Sequence, residues 1–121
     1  MTTIIRQTAA DSLDAVAAQL RDAFTAARAA VDSGEPIVIV AHAADLLGQG
    51  SVEDGAVAGG LLGLVRALMY EGGRKGWHIN LVAVDRGTEP DPELLAAAAS
   101  IPTLNGQVLN GSSGHIGKMI P

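Results

Sequence analysis

The residues best suited to chemistry in this chain are a histidine and two carboxylates that follow it. His42 is followed closely by Asp45, and Asp54 lies further along the same glycine-containing segment. An imidazole held by a carboxylate can take up and release a proton near neutral pH, so these residues suggest a general base. A histidine beside a carboxylate in a loop is more often a solvated or locally hydrogen-bonded pair. The sequence alone leaves both interpretations open.

A second chemical signal is a run of glycine and serine near the C-terminus. The string L-N-G-S-S-G-H-I-G at residues 109–117 is typical of a strand that enters a pyrophosphate-binding loop. Such a loop needs a helix directly after it, because the free N–H groups of the helix N-terminus face the phosphate. Only residues 118–121 follow. We therefore interpret residues 111–121 as a flexible C-terminal tail, with contact to a nucleotide or to a partner's site as the alternative.

Composition argues against several other kinds of site. The chain has no cysteine, and His42, His78 and His115 are far apart, so no metal site is expected. The formal net charge is -5 and the lysine and arginine residues are scattered, which argues against a nucleic acid or an anionic membrane as partner. No apolar stretch has the length of a signal peptide core or a membrane span. We expect a soluble, cytoplasmic protein.

Alternating helix and strand patterns must position these residues. An amphipathic helix is predicted over residues 13–31, capped by Thr8 or Asp11 and ended by Ser33-Gly34 before Pro36. The predicted strands are residues 37–41, 79–84 and 107–109, and the first two are apolar runs typical of strands covered on both faces. The remaining segments are predicted as a loop over 42–51, a helix over 54–70, a glycine-rich turn over 71–76 and a short helix over 90–99.

This order of elements predicts the fold class. Helices that alternate with apolar strands form right-handed crossovers, so we expect an α/β fold with a small parallel sheet of three to four strands flanked by helices. The length of 121 residues suits a single domain over residues 1–121, of which residues 1–10 are an N-terminal arm.

The helix over residues 54–70 is apolar nearly all round, with Arg66 as the only charge inside it. Its small residues recur at helical spacing, so a neighbouring helix can approach closely. They are Ala56, Gly60, Gly63 and Ala67. One small sheet cannot cover such a helix on every side. Either this is a well-buried core helix, or, as we favour, its outer face is a subunit interface.

Four strings, in order along residues 13–114, resemble the C-terminal half of a short-chain dehydrogenase/reductase (SDR). Residues 37–42 followed by Gly48 are similar to the family strand I-V-N-I-S-S and its loop. G-L-V-R-A-L at residues 63–68 is similar to the second half of the family helix K-A-x-x-x-G-L-T-R-A-L-A. H-I-N-L-V-A at residues 78–83 is similar to the strand R-V-N-A-V-A-P-G, and G-Q-V-L at residues 106–109 matches the last strand. The resemblance implies half of a Rossmann-like SDR fold.

The same resemblance implies that the catalytic machinery is degenerate. The family's helix Asn falls on Gln19, its substrate-orienting Ser on His42, its catalytic Tyr on Asp54, and its Lys on Ala58. Hydride transfer needs a proton donor at the carbonyl oxygen and a cation that lowers the Tyr pKa and holds the ribose. Asp54 and Ala58 supply neither, Val84-Asp85 replaces the family's Pro-Gly, and we find no dinucleotide-binding half. No catalytic residue and no cofactor are therefore expected.

Family resemblance also suggests what the chain does. In this family the two long helices pair across a two-fold axis into a four-helix bundle between subunits, which implies an interface at Leu20, Phe24, Ala56, Gly60, Gly63, Leu64, Ala67 and Leu68. The leading hypothesis is a pseudoenzyme subunit. It pairs with itself as a homo-oligomer, or as a hetero-oligomer with a full-length NAD(P)-dependent dehydrogenase.

Two alternatives come from other functional classes. A binding module would hold a nucleotide or an acyl-thioester fragment in the crevice at the ends of strands 37–41 and 79–84. An oxidoreductase-derived enzyme would use His42 and Asp54. A truncated sheet also leaves an edge open beside strand 37–41, which either Thr3-Ile4-Ile5-Arg6 or a partner chain would cover.

Overall fold

Parallel strands joined by helices form the framework. The structure is a computed structural model that describes residues 1–116. Its strands are β1 (Thr3–Arg6), β2 (Ile37–His42), β3 (Ile79–Val84) and β4 (Val108–Asn110), and they form one parallel sheet in that order. Its helices are α1 (Leu13–Asp32), α2 (Ala43–Leu46), α3 (Val52–Gly72) and α4 (Pro92–Ser100), with a 3-10 turn at Gly73–Lys75. The predicted α/β class and small parallel sheet are confirmed.

The two faces of the sheet are covered unequally. Helices α1 and α3 pack on one face, where Ile39, Leu61 and Leu81 belong to the larger core. Helix α4 covers the other face, where Val38 and Val82 pack with Ala98. Strands β2 and β3 are therefore buried on both faces, which explains why their residues are apolar except for His42 at the end of β2 and Asn80 in β3.

Hydrogen bonds at the helix ends correct several predicted boundaries. Helix α1 starts after Ser12, whose Oγ accepts from the Ala15 N–H at 3.1 Å, so Thr8 and Asp11 do not cap it. Helix α3 is longer than predicted because Ser51 caps it, accepting the Asp54 N–H at 3.0 Å. The segment predicted as a loop over residues 42–51 contains the single turn of α2, and α3 extends into the predicted turn over residues 71–76.

The N-terminal arm contributes the outermost strand. Thr3 to Arg6 pair in parallel with residues 37–40 of β2. The edge of β2 is therefore covered by a segment of the same chain, which was one of the two expectations, and not by a partner chain. The edge of the sheet on this side accordingly lies on the outer side of β1, and β4 is the strand at the opposite edge. Within residues 1–116, no helix has both the length and the apolar character needed to cross a bilayer.

Candidate functional site

Four polar residues meet at the carboxyl edge of the sheet. Gln7 follows β1, His42 ends β2, Asp45 lies in α2, and Arg86 follows β3. The carboxyl ends of parallel strands are where α/β folds usually bind ligands, because the strand ends and the loops after them converge there. We call these four residues the carboxyl-edge cluster.

Asp45 is the centre of the carboxyl-edge cluster. Its side chain is fully buried and forms an ion pair with Arg86. It also accepts from Gln7 Nε2 at 2.9 Å and lies 3.1 Å from His42 Nδ1, and the Gln7 Oε1 accepts the His42 backbone N–H at 2.7 Å. A buried carboxylate is tolerated when charged and hydrogen-bonded partners replace water, as they do here. The cluster is a closed polar network that joins the ends of three strands.

Gly50 allows the loop after α2 to lie directly over this network. A Cβ built on Gly50 would collide with Asp45 Oδ1 and with the Arg86 guanidinium. A residue with a side chain would therefore have to displace the ion pair or the loop. The glycine is explained by this close approach of backbone to the buried pair.

The Asp54 carboxylate, the second candidate partner of His42, hydrogen bonds to a different segment of the chain. Its Oδ1 accepts the Ala10 N–H at 2.9 Å, which connects α3 to the segment before α1. This hydrogen bond is the main reason why the pKa of Asp54 lies below its usual range. Ser51, Arg86 and His42 lower the pKa further. The hydrogen-bonded histidine and carboxylate are thus His42 and Asp45.

The lowered pKa of Asp54 predicts an acid-dependent loss of stability. Because the folded pKa lies below the unfolded value of about 3.9, the ionised group stabilises fully above that value, and its contribution falls as pH drops through the folded pKa. Aspartate side chains titrate between about pH 5 and pH 3. Over this range we expect the melting temperature of Asp54→Asn to fall less than that of the original chain. Asp11→Asn, at an exposed position, is the control, and equal slopes for all three proteins would contradict the prediction.

The two other positions at which the family resemblance implies a replaced catalytic residue are Gln19 and Ala58. Gln19 Oε1 accepts the Thr8 N–H at 2.7 Å and Gln19 Nε2 donates to the Thr8 carbonyl at 2.9 Å, so this side chain fastens the segment after β1 to α1. Ala58 is fully buried. Its position therefore presents only a methyl group, inside the core.

The described part of the glycine and serine segment folds onto the end of β3. Asn110 Oδ1 accepts the Ser112 N–H at 3.0 Å, and Asp85 Oδ2 accepts the Ser113 N–H at 3.1 Å. These N–H groups already have oxygen partners, and the Asp85 carboxylate would repel a phosphate there. Residues 117–121, which complete the motif and the predicted tail, lie outside the described residues.

Two small crevices open at the carboxyl edge. One of about 240 Å³ is lined in part by His42, Thr88 and Glu89, and another of about 320 Å³ lies between α2 and residues 112–116. Both are at or below the lower end of the range for small-molecule sites, roughly 300–1,000 Å³. The residues that the structure describes contain no group of three side chains able to hold a metal ion.

The outer surface of α1 and α3 carries the aromatic residues of the chain. Phe24 and Tyr70 are 51% and 88% exposed, and Trp77 is half-buried beside them. The Arg28 guanidinium lies 5.5 Å from the Phe24 ring centre and 5.8 Å from that of Trp77. The buried residues of the core are all aliphatic, and Trp77 packs against the larger core, so Phe24 and Tyr70 are the two aromatic rings that are exposed.

An ion pair connects the two helices at the same surface. Arg28 donates from both terminal nitrogens to Glu71, at 2.7 Å and 2.9 Å. This contact holds the pKa of Glu71 below its usual range. The bidentate geometry fixes the Arg28 side chain beside Phe24.

Small residues share the outer face of α3 with Tyr70. Ala56, Gly63 and Ala67 are exposed, and a Cβ built on Gly63 would meet nothing within 4 Å. A second helix therefore has room to approach the backbone closely along this face. With Phe24, these three residues are the predicted interface positions that are exposed.

The other predicted interface positions contact the chain itself. A Cβ on Gly60 would lie 2.7 Å from Leu20, so the close approach predicted for Gly60 is the packing of α3 against α1. Leu20 and Leu64 are partly buried against the larger core, and Leu68 is buried within it.

Comparison with known proteins identifies the fold. No protein-family model matches the sequence, and no curated protein matches it either. Among solved structures, the chain is similar to a short chain dehydrogenase from Bacillus anthracis, with a TM-score of 0.64 and 18% sequence identity over 93% of this chain. The chain spans 63% of the length of that dehydrogenase. The likeness establishes an SDR-like, Rossmann-like fold.

Proposed function

We propose that this chain is a non-catalytic subunit with a dehydrogenase fold, which pairs through the outer surface of α1 and α3. The observation that carries the proposal is the exposure of Phe24 on α1 and Tyr70 on α3, next to a stripe of small residues on α3. Aromatic side chains gain most from burial, and aromatic and arginine side chains are enriched where partners bind. In a chain whose core contains no aromatic ring, two exposed rings on one surface favour a partner there.

The shape of α3 favours a second copy as the partner. Ala56 and Tyr70 lie about two helical turns before and after Gly63. In an antiparallel pair of α3 helices centred on Gly63, Tyr70 of one copy packs on Ala56 of the other, so a large side chain meets a small one. The basic Arg74 of each copy then lies near the acidic first turn of its partner's α3, which contains Glu53. In such a pair, large side chains of one copy meet small side chains of the other, and basic side chains lie near acidic ones.

A full-length dehydrogenase is the alternative partner. Because the family resemblance implies that dehydrogenases present an equivalent pair of helices, the surface that suits a second copy also suits such an enzyme.

The proposed lack of catalytic activity is supported by the four positions at which the family resemblance implies replaced catalytic residues. Gln19, His42 and Asp54 hydrogen bond within the chain, and Ala58 is buried in the core.

The mass of the protein in solution tests the pairing. Gly63→Arg places a long charged side chain in the open space on α3, and within a single chain it should be tolerated, since Gly is the poorer helix former by up to about 1 kcal/mol. We expect sedimentation velocity to give a dimer for the original chain and at least a tenfold weaker association for Gly63→Arg. Ala96→Arg, at an exposed position of α4 on the opposite face, is the matched control and should leave the mass unchanged.

Three results would contradict the proposal. One is a protein that is monomeric at all concentrations and binds no full-length dehydrogenase encoded beside it. Another is a melting temperature raised by several degrees with NADH, NADPH or an acyl-coenzyme A, which would favour the binding module instead. The third is hydride transfer by the purified chain, abolished by His42→Ala, which would support the enzyme.

A further inference from the structure

The outer edge of β1 has unpaired backbone groups. The Thr3 N–H donates to the Pro36 carbonyl and the Gln7 N–H to the Val40 carbonyl, so alternate residues of β1 face β2. The N–H and C=O groups of Ile4 and Arg6 therefore point away from the sheet. Among residues 1–116, no strand lies on that side. An edge of this kind can pair with a further strand.

A groove runs beside this edge. It has a volume of about 560 Å³ and lies between β1 and the flank of α1, with Ile5 and Leu61 among its apolar residues. The part contributed by α1 is made largely of methyl groups, from Ala15, Ala18, Ala23 and Ala26. A strand added to β1 would direct every second side chain toward this groove, and bulky apolar side chains would fill it.

A second copy of the chain does not fit this edge. Two copies of β1 can pair symmetrically only as antiparallel strands about an axis normal to the sheet, which puts both α1 helices on the same face. Helix α1 packs on β1, whereas α3 packs on β2 and β3. Two helices that each lie over β1 would be roughly 5 Å apart, less than the 8–10 Å that packed helices need. The occupant must therefore be a strand without a helix above it.

Charge at the groove narrows the occupant further. Asp22 lies at the groove, and no ion pair involves it in the described part of the chain. Arg6, the groove's cation, is already paired with Glu89 at 3.0 Å. The charge left to be matched is negative, so it suits a basic residue on the occupant.

We propose that the open edge of β1 binds an extended segment of another protein as an added parallel or antiparallel strand. The segment has bulky apolar residues at alternate positions and a lysine or arginine that faces Asp22. Its backbone pairs with Ile4 and Arg6, and its apolar side chains occupy the groove against α1. This surface is separate from the outer surface of α1 and α3, so the two proposals can fail independently.

A labelled peptide tests the edge directly. The probe is a fluorescent peptide of alternating valine and threonine that ends in lysine, titrated by anisotropy with the full chain. Ile4→Pro removes an outward N–H without removing a hydrogen bond to β2, and Ala18→Arg fills the groove without changing the edge. We expect saturable binding by the original chain and at least tenfold weaker binding by each variant. Ala96→Arg, exposed on α4 at the opposite face of the sheet, should bind like the original chain.

Each other outcome overturns the proposal. No saturable binding by the original chain, or equal binding by the original chain and Ala18→Arg, would show that the groove holds no strand. Self-association abolished by Ile4→Pro but unaffected by Gly63→Arg would make a second copy the occupant. If Ile4→Pro does not fold, as judged by circular dichroism, the comparison of Ala18→Arg with Ala96→Arg decides the question alone.

Discussion

Replacing Asp45 with alanine is expected to lower the free energy of unfolding by about 2–3 kcal/mol, as measured by urea denaturation. The buried amide of Gln7 loses its main acceptor, and His42 and Arg86 lose the carboxylate that both contact. The Arg86 side chain is 47% exposed, so water can solvate it, and the loss is smaller than for a fully buried pair. Because the network joins the ends of β1, β2 and β3, the cost falls on the whole sheet.

Two comparisons separate this network from a general effect of removing acids. Asp85→Ala removes an exposed carboxylate at the same edge that accepts one backbone N–H, from Ser113, and should cost less than about 1 kcal/mol. Asp45→Asn keeps the size and one acceptor oxygen while removing the charge, so its cost should lie between the two. Equal stability of Asp45→Ala and Asp85→Ala would mean that the buried carboxylate does not stabilise the fold.

The sequence predicted only the local half of this network. His42 and Asp45 are neighbours along the chain, so their pairing was one of the interpretations left open by their spacing. Gln7 and Arg86 enter from segments far from residues 42–45 in sequence, and only the order of the strands brings them together. A signal existed for both: Gln7 and Arg86 are polar residues just after strands β1 and β3, and the carboxyl ends of parallel strands meet at one edge.

The fold was predictable wherever one segment carried its own periodicity. The apolar runs of β2 and β3 fixed those strands to within a residue, because burial on both faces favours apolar side chains at nearly every position. Strand β1 is only four residues long and has one buried side chain. Its sequence therefore shows no clear strand pattern, and it could be predicted only as one of two possible neighbours of β2. The single turn of α2 was missed since a helix that short has no periodicity.

The sequence suggested that α3 has more apolar surface than one small sheet can cover. Part of that surface packs against α1 and the core of the same chain. Gly60 and Leu68 face α1 and the core, which a sequence pattern cannot distinguish from a partner's surface. What remains exposed is a narrower stripe of Ala56, Gly63 and Ala67, with Phe24 and Tyr70 beside it. The proposed interface is accordingly smaller and more aromatic than the sequence suggested, and Gly63→Arg is its most direct test.

Asn80→Ala is the second substitution for which we expect a large loss, about 2–3 kcal/mol in the free energy of unfolding. Asn80 is fully buried on β3, in a run of otherwise apolar residues. Its Nδ2 donates to the Ala98 carbonyl at 2.8 Å and to the Leu104 carbonyl at 2.5 Å, and its Oδ1 accepts the Gln107 N–H at 3.0 Å. One side chain thus holds the end of α4 and the start of β4 against β3.

The location of these bonds predicts where the loss appears as well as its size. Hydrogen exchange should speed up most in β4 and in the segment between α4 and β4, because their attachment to β3 depends on Asn80. Asn110→Ala is the matched control, since Asn110 is exposed and hydrogen bonds only to nearby Ser112 and Gly114. If Asn80→Ala exchanges uniformly faster or is as stable as Asn110→Ala, then apolar packing of α4 on Val82 and Val84, rather than the buried amide, attaches this part of the chain.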